Sequence, residues 1–318
     1  MGSLAMVWRT RMLSAFTGTA TGRPDWVQRI EDGDDAGWFG ADSAAWVVHG
    51  GMPTLVAGIR ALLMQTLHPG AMAGVHDWSR YREDPLGRLS GTIQWLISVT
   101  FSDRAAAEAE SQRVGRFHDR VVGRYVDAVG VERAYSAGDP ELLSWVHVVF
   151  TDAFLSCHEI WGRPIPGGAD AYVAQWAKAG ELVGVVDPPR SEAQLDRALD
   201  DFRPLMKSDE RVAEAVHFIR SPGLPRAMTP FYRVLFAGAV ASIPVRYRRM
   251  LGLRRAWWPA LTATRIVLAL AGDILGRGSS SEDAARKRLA RLGLLDSASP
   301  TAGMSAVRGS LLARRRHG

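Results

Sequence analysis

The residues of this chain whose types and spacing could carry chemistry are an arginine, a threonine and several histidines set among apolar neighbours. Arg88 and Thr92 stand four apart in Asp84-Pro-Leu-Gly-Arg-Leu-Ser-Gly-Thr-Ile-Gln-Trp95. Asp84 is a good helix N-cap and Pro85 suits the first helical position. A helix starting there puts Arg88 and Thr92 on one face, beside an apolar run through Leu89, Ile93, Leu96, Ile97, Val99 and Phe101. An arginine on so apolar a helix needs a partner, either a core carboxylate such as Asp84 or a bound ligand. His118, His147 and His158 also fall among apolar residues at helical spacing. A neutral imidazole on a buried helix is the commonest axial ligand of haem iron. A lone histidine on an apolar face is, however, more often a core residue, and position alone does not choose among the three.

Other chemistries lack their signatures. The glycines do not follow a strand with the spacing of a phosphate-binding loop or dinucleotide fingerprint. Neither Gly-x-Ser-x-Gly nor His-Glu-x-x-His occurs. Glu214-Ala-Val-His217 has the Glu-x-x-His spacing of a di-iron bundle, which needs two such copies, and there is one. The single cysteine, Cys157, removes intrachain disulfides and multi-cysteine metal sites, and it suits a reducing, cytoplasmic setting.

The elements that must position these residues read as helices. A polar, irregular arm is expected over residues 1–30, a helical domain over 31–276, and a basic helix with a disordered tail over 277–318. Asp32 to Gly40 is a turn-rich acidic loop. A helix after Pro53 is expected to end at Pro69-Gly70, with His68 in its last turn favoured by the helix dipole. Ala71–Tyr81 then reads as a connector. Asp103 caps the next helix, which carries Val114, Phe117, His118, Val121 and Val122 as one apolar stripe with His118 inside it. Gly138-Asp-Pro-Glu opens a further helix with a strong start signal, and His147, Thr151, Phe154 and His158 align along it. Ser191 and Asp209 begin later helices. No sustained period-two alternation or hairpin dipeptide is evident. The fold class is therefore all-α, in one continuous domain.

Bulk properties set the remaining bounds. Nearly half of the 318 residues are hydrophobic, and 11 are tryptophan, enough to fill a core and line an apolar cavity. From Pro244 onward there are 15 Lys and Arg against 4 Asp and Glu, so the overall +6 hides a net-acidic first part. With no aromatic-interleaved motif beside that charge, no nucleic-acid partner is expected. No secretory signal is evident at the N-terminus, and the most apolar windows are interrupted by arginine, proline or aspartate, so no transmembrane segment is expected.

Four motifs in order also carry a likeness: His68-Pro-Gly-Ala-Met-Ala-Gly-Val75, Arg82-Glu-Asp-Pro-Leu-Gly-Arg-Leu-x-x-Thr92, Phe117-His118-x-x-Val121 and Asp139-Pro-Glu-Leu-Leu-x-Trp-Val-His147. Together with Ile243-Pro-x-Arg246 and Leu251-Gly-Leu, they resemble the catalytic domain shared by latex-clearing rubber oxygenase and the fungal mycophenolic-acid pathway oxygenase, over about Trp38–Leu253. The resemblance implies a globin-like core around a haem b pocket. It implies oxidative cleavage of isoprenoid double bonds with O₂, and hence an apolar, isoprenoid- or lipid-like small-molecule substrate. By the same resemblance His118 matches the proximal iron ligand, Arg88 and Thr92 match the distal residues, and His147 matches a recurring histidine near the haem but off the iron. The rubber oxygenase has a distal lysine where this chain has Gly91, so a lysine-closed form is not available here. Trp95, Phe150, Phe154 and Trp161 are candidates for an apolar substrate wall. Alternatives are a haem peroxidase or monooxygenase, a non-catalytic haem carrier or sensor, and a helical protein without cofactor.

Overall fold

A computed structural model describes residues 25–78, 85–254, 259–275 and 280–295, with side chains except at 85–90 and 274–275. Asp84, most of the N-terminal arm and the tail beyond 295 lie outside the described residues, and so do the expectations placed on them.

Apolar periodicity and capping build the frame. Helix α1 (Asp25–Asp32) is followed by the acidic loop, α2 (Ala44–Gly50) and α3 (Thr54–Gln65). Then come α4 (Pro69–Trp78), α5 (Pro85–Phe101) and α6 (Arg104–His118). After a short hairpin, α7 (Pro140–Trp161) is the longest helix, at 22 residues, with Pro140 in its first turn. The rest of the set is α8 (Gly168–Leu182), α9 (Glu192–Asp201), α10 (Glu210–Arg220), α11 (Thr229–Ser242), α12 (Val245–Met250), α13 (Ala260–Leu275) and α14 (Ser280–Arg291).

The core centres on α3 against α7. Val56, Ile59, Leu63 and Met64 pack with Trp145, Val148, Val149 and Leu155 in one continuous buried cluster. Burial of each such aliphatic side chain contributes about 1.5–3 kcal/mol. A buried ion pair crosses this layer: Arg60 Nη2 donates to Asp152 Oδ2 at 2.7 Å, and its Nη1 donates to the Ser242 carbonyl, also at 2.7 Å. Among the described residues the fold is thus all-α in a single domain, apart from one small sheet.

That sheet is a departure from the sequence reading. Strands β1 (Val122–Val126) and β2 (Glu132–Ser136) pair antiparallel, with Arg124 opposite Ala134. The intervening loop is closed by Asp127, whose Oδ1 accepts from the Val129 and Val131 amides, and by Gly130 at φ +89°. The expected apolar stripe on α6 is also shortened. The helix stops at His118, Val121 turns into the core, and Phe117 and Val122 are exposed.

Two further expectations change. Ala71–Tyr81 is not a connector, because α4 begins at Pro69. His68 is not in the last turn of α3; its Nδ1 accepts from the amides of Gly70 and Ala71, so it caps α4. The expected arm boundary at residue 30 falls inside α1, whose Trp26, Val27 and Ile30 are buried. Among the described residues no single helix is long and apolar enough to cross a membrane; α2 and α3 meet that test only together, across a 90° bend.

Candidate functional site

Helices α5 and α6 form an antiparallel pair joined by only Ser102 and Asp103. Asp103 starts α6 by accepting the Ala106 amide on Oδ1 at 2.9 Å, satisfying one of the orphan donors of the first turn. Side chains fix the register of the pair. Trp95 Nε1 donates to Ser111 Oγ at 3.1 Å, and Ser111 in turn donates to the Ala107 carbonyl. Gln94 Nε2 reaches Glu110 at 3.4 Å.

From that rung both helices run on toward their free ends. Gly91 lies four residues before Trp95, and Gly115 four after Ser111; Arg88 lies seven before and His118 seven after. Seven residues are two helical turns, about 10 Å of rise, so the faces are retained and the levels stay matched. By that spacing Gly91 comes level with Gly115, and the backbone of Arg88 with that of His118, one and two turns beyond the Trp95–Ser111 contact. No described atom lies within 4 Å of where a Cβ would stand on either glycine, so each has open space beside it. Thr92, next to Gly91 in the chain, is half-buried. The backbone of Arg88 is in α5, while its side chain lies outside the described residues.

His118 is half-buried at the end of α6, and its pKa is lowered by burial, against a smaller opposing effect of Asp119. The ring is therefore neutral near pH 7 and keeps a lone pair for a ligand. Its neighbours on the outer side are apolar and exposed: Phe117, with ring centroids 6.3 Å apart, then Val122, to whose carbonyl Trp78 Nε1 donates at 2.9 Å.

The other histidines are occupied differently. His147 is buried in α7, where burial holds its pKa at about 4, and its Nε2 has no hydrogen-bond partner among the described residues. Gly180 of α8 lies so close that a Cβ there would stand 2.9 Å from the His147 ring. His158 Nε2 bonds the Arg163 carbonyl at 2.9 Å, and Gly162 presses on its ring. By register the backbones of His118 and Arg88 come level, Thr92 lies one turn from that level, and His147 sits at the α7–α8 contact. Of the wall candidates, Trp95 holds the α5–α6 rung, Phe150 and Phe154 stack in α7, and Trp161 donates to the Leu261 carbonyl.

Sequence reasoning passed over His49. It lies in α2 with its ring 4.0 Å from that of Trp176, against Phe154, and with Nε2 3.2 Å from the Tyr172 hydroxyl. Burial, with a smaller effect of His158, lowers its pKa to about 3. Its only sequence signal was an apolar run, Ala44–Val48, leading into it. A separate groove of about 370 Å³ opens between α4, β1 and the start of α10, lined by Met72, Arg124, Tyr125 and Lys207, and includes none of the candidate residues. Among the described residues no group of three or more histidine, cysteine, aspartate or glutamate side chains is placed to hold a bare metal ion.

Comparison with known proteins gives one positive result. The family described as "ER-bound oxygenase mpaB/B'/Rubber oxygenase, catalytic domain" matches residues 46–275, the span from α2 through α13. No curated protein and no solved structure matches the chain.

Proposed function

The chain belongs to the family of mpaB and rubber-oxygenase catalytic domains, a family of oxygenases, and on that premise we propose that it is a haem-b-dependent oxygenase acting with O₂ on an apolar, isoprenoid- or lipid-like small molecule. The observation that supports this reading is the α5–α6 register, by which the backbone of Arg88 comes level with His118, a turn beyond two glycines that have open space beside them. Haem iron asks the protein for as little as one imidazole. The residues fit that demand: His118 is neutral and half-buried, and Gly91 and Gly115 have open space beside them.

In this reading His118 would hold the iron, and Arg88 and Thr92 would line the opposite side. A bound haem supplies the redox-active iron at which O₂ reacts. The protein's part is then electrostatic and steric. The Arg88 guanidinium stabilises negative charge developing on oxygen. The Thr92 hydroxyl orients a proton or water. The exposed apolar rim of Phe117, Val122 and Trp78 supports an apolar substrate, because such a rim near the site favours its approach over that of a charged one. With glycine at position 91, no side chain of α5 at that position can ligate iron. A cytoplasmic location belongs to the same proposal and is supported by the use of a single, buried cysteine, Cys157, with no disulfide framework.

Haem reconstitution tests the assignment. The expected result is a Soret band that His118→Ala abolishes or shifts and His147→Ala retains. Oxygen-18 labelling with a polyunsaturated isoprenoid then separates the chemistries. Both product oxygens come from O₂ in a double-bond cleavage, whereas a monooxygenase incorporates one and a peroxidase none. Absence of any Soret band after supplementation refutes the cofactor assignment.

A further inference from the structure

Two helices that flank the family-matched span, α1 and α14, pack on each other and both touch α5. They are joined by Arg288, which is fully buried. Its Nη1 donates to the Ile30 carbonyl at 2.9 Å, and its Nη2 reaches the Ala36 carbonyl at 3.5 Å. The charges facing it are Asp103 and Asp35, with Arg291 further along the same helix.

Asp103 belongs to the elbow between α5 and α6, and Asp35, in the acidic loop, reaches the same elbow. Asp103 caps α6 with one oxygen and accepts the Asp34 amide on the other at 3.1 Å. Asp35 Oδ1 accepts the Arg104 amide at 3.1 Å and the Gly37 amide at 2.6 Å. The loop from Gly33 to Gly37 lies directly on the elbow. A Cβ on Gly33 would stand 2.8 Å from Asp103 Oδ2, and one on Gly37, already at φ +82°, would collide with the Ser102 carbonyl. Two carboxylates at a helix N-terminus suit its dipole but repel one another, and a buried guanidinium between α1 and the elbow offsets that.

We propose that Arg288 is a positioning residue for the site: the α1–α14 clasp fixes the elbow and so sets the spacing of Arg88, Thr92 and His118 at the free ends of α5 and α6. The proposal rests on the site assigned above. Leverage makes it consequential. Helix α6 has 15 residues, about 22 Å of rise, so a tilt of about 5° at the elbow moves His118 by about 2 Å. A displacement of about 1 Å can cost on the order of 100-fold in rate where reacting groups must be aligned.

The test uses the full chain and a matched control. Arg288→Gln removes the charge that faces Asp103 and Asp35 and weakens the bonds to the Ile30 and Ala36 carbonyls that hold the loop over the elbow. Arg286→Gln removes a tie of the same helix, to Asp42 at 2.7 Å and Glu282 at 2.8 Å, that does not reach the elbow. Amide hydrogen exchange on the haem-free protein is read over residues 102–118, and the Soret and axial-ligand spectra are read after haem loading. The expected result is at least tenfold faster exchange in 102–118 and an altered ligand spectrum for Arg288→Gln only. Arg286→Gln should quicken exchange within α14 and around Asp42 at the start of α2 and leave the spectrum unchanged, and Arg288→Lys should recover part of the loss. Wild-type exchange over 102–118 in Arg288→Gln, or the same pattern in both glutamine variants, overturns the proposal. If Arg288→Gln does not fold, Arg288→Lys and Gly37→Ala carry the same comparison, the second disturbing the elbow from the loop side. Should the wild-type chain take up no haem, the cofactor reading fails, while the exchange pattern alone still decides the clasp.

Discussion

Gly91 and Gly115 make a prediction of opposite sign in the empty and loaded protein. Gly91 is interior to α5 and Gly115 lies in the last turn of α6. A glycine inside a helix costs about 1 kcal/mol relative to alanine, and less near an end. Since no described atom lies within 4 Å of either Cβ position, alanine meets no steric penalty there. In the haem-free protein Gly91→Ala should therefore stabilise by about 1 kcal/mol and Gly115→Ala by a few tenths, raising the melting temperature by roughly 1–3 °C for the first. If haem fills that open space, the same methyl groups narrow it. Overpacking of about 1–3 kcal/mol then weakens haem binding by roughly 5- to 150-fold. Thermal melts of the haem-free variants and haem titration followed at the Soret band read the two halves separately. A loss of stability in the haem-free alanine variants would refute the open space. Stabilised variants with wild-type haem affinity would refute its identity as the haem site.

Three other outcomes are expected. Gly91→Lys, placed in the same space, should give a haem-loaded protein with a six-coordinate, low-spin spectrum, since an amine then reaches the iron; an unchanged spectrum would mean that α5 does not face it. Gly180→Ala should destabilise by about 1–3 kcal/mol, because the new methyl group strikes the His147 ring, and denaturant midpoints would show it. Burial holds His49 at about 3 and His68 and His147 at about 4, below the ordinary 6.5. The unfolded chain thus binds more protons than the folded one as pH falls below 6.5, and stability drops through that window down to about pH 4. The loss is about 2 kcal/mol per histidine between pH 7.5 and 5. Urea midpoints that stay flat over that range would contradict it.

How much of this was legible in the sequence depends on how local each signal is. The starts of α6, α9 and α10 were readable because Asp103, Ser191 and Asp209 cap them through bonds three residues long. The start of α7 was readable from Asp139-Pro140. The hairpin was not, because its apolar residues Val122 and Val126 face outward and inverted the usual alternation, while Asp127 closes the loop without an Asn-Gly pair. Helix α4 was missed because Pro69-Gly70 looked like a stop, whereas Pro69 is the first residue of a helix and His68 is its cap. The family motifs gave the order of the candidate site residues. Their three-dimensional register came from the Trp95–Ser111 rung, which no single stretch of sequence contains. The same holds for Arg288 and Ile30, partners 258 residues apart.

The histidines show why burial alone is a poor guide to a metal ligand. Ranked by burial, His49, His68, His147 and His158 all precede His118. Yet His68 commits Nδ1 to the start of α4 and His158 commits Nε2 to Arg163. His49 is enclosed by Trp176, Tyr172 and Phe154, and His147 rests on Gly180 with no room for so much as a methyl group. A porphyrin needs a lone pair and also a vacancy beside it, and close-packed interiors rarely provide the second. Of the histidines set among apolar helices, His118 is the one that ends its helix a turn beyond a glycine facing open space. Its incomplete burial, which makes it look like the weaker candidate on burial alone, is consistent with the proposed role of receiving a large planar ligand.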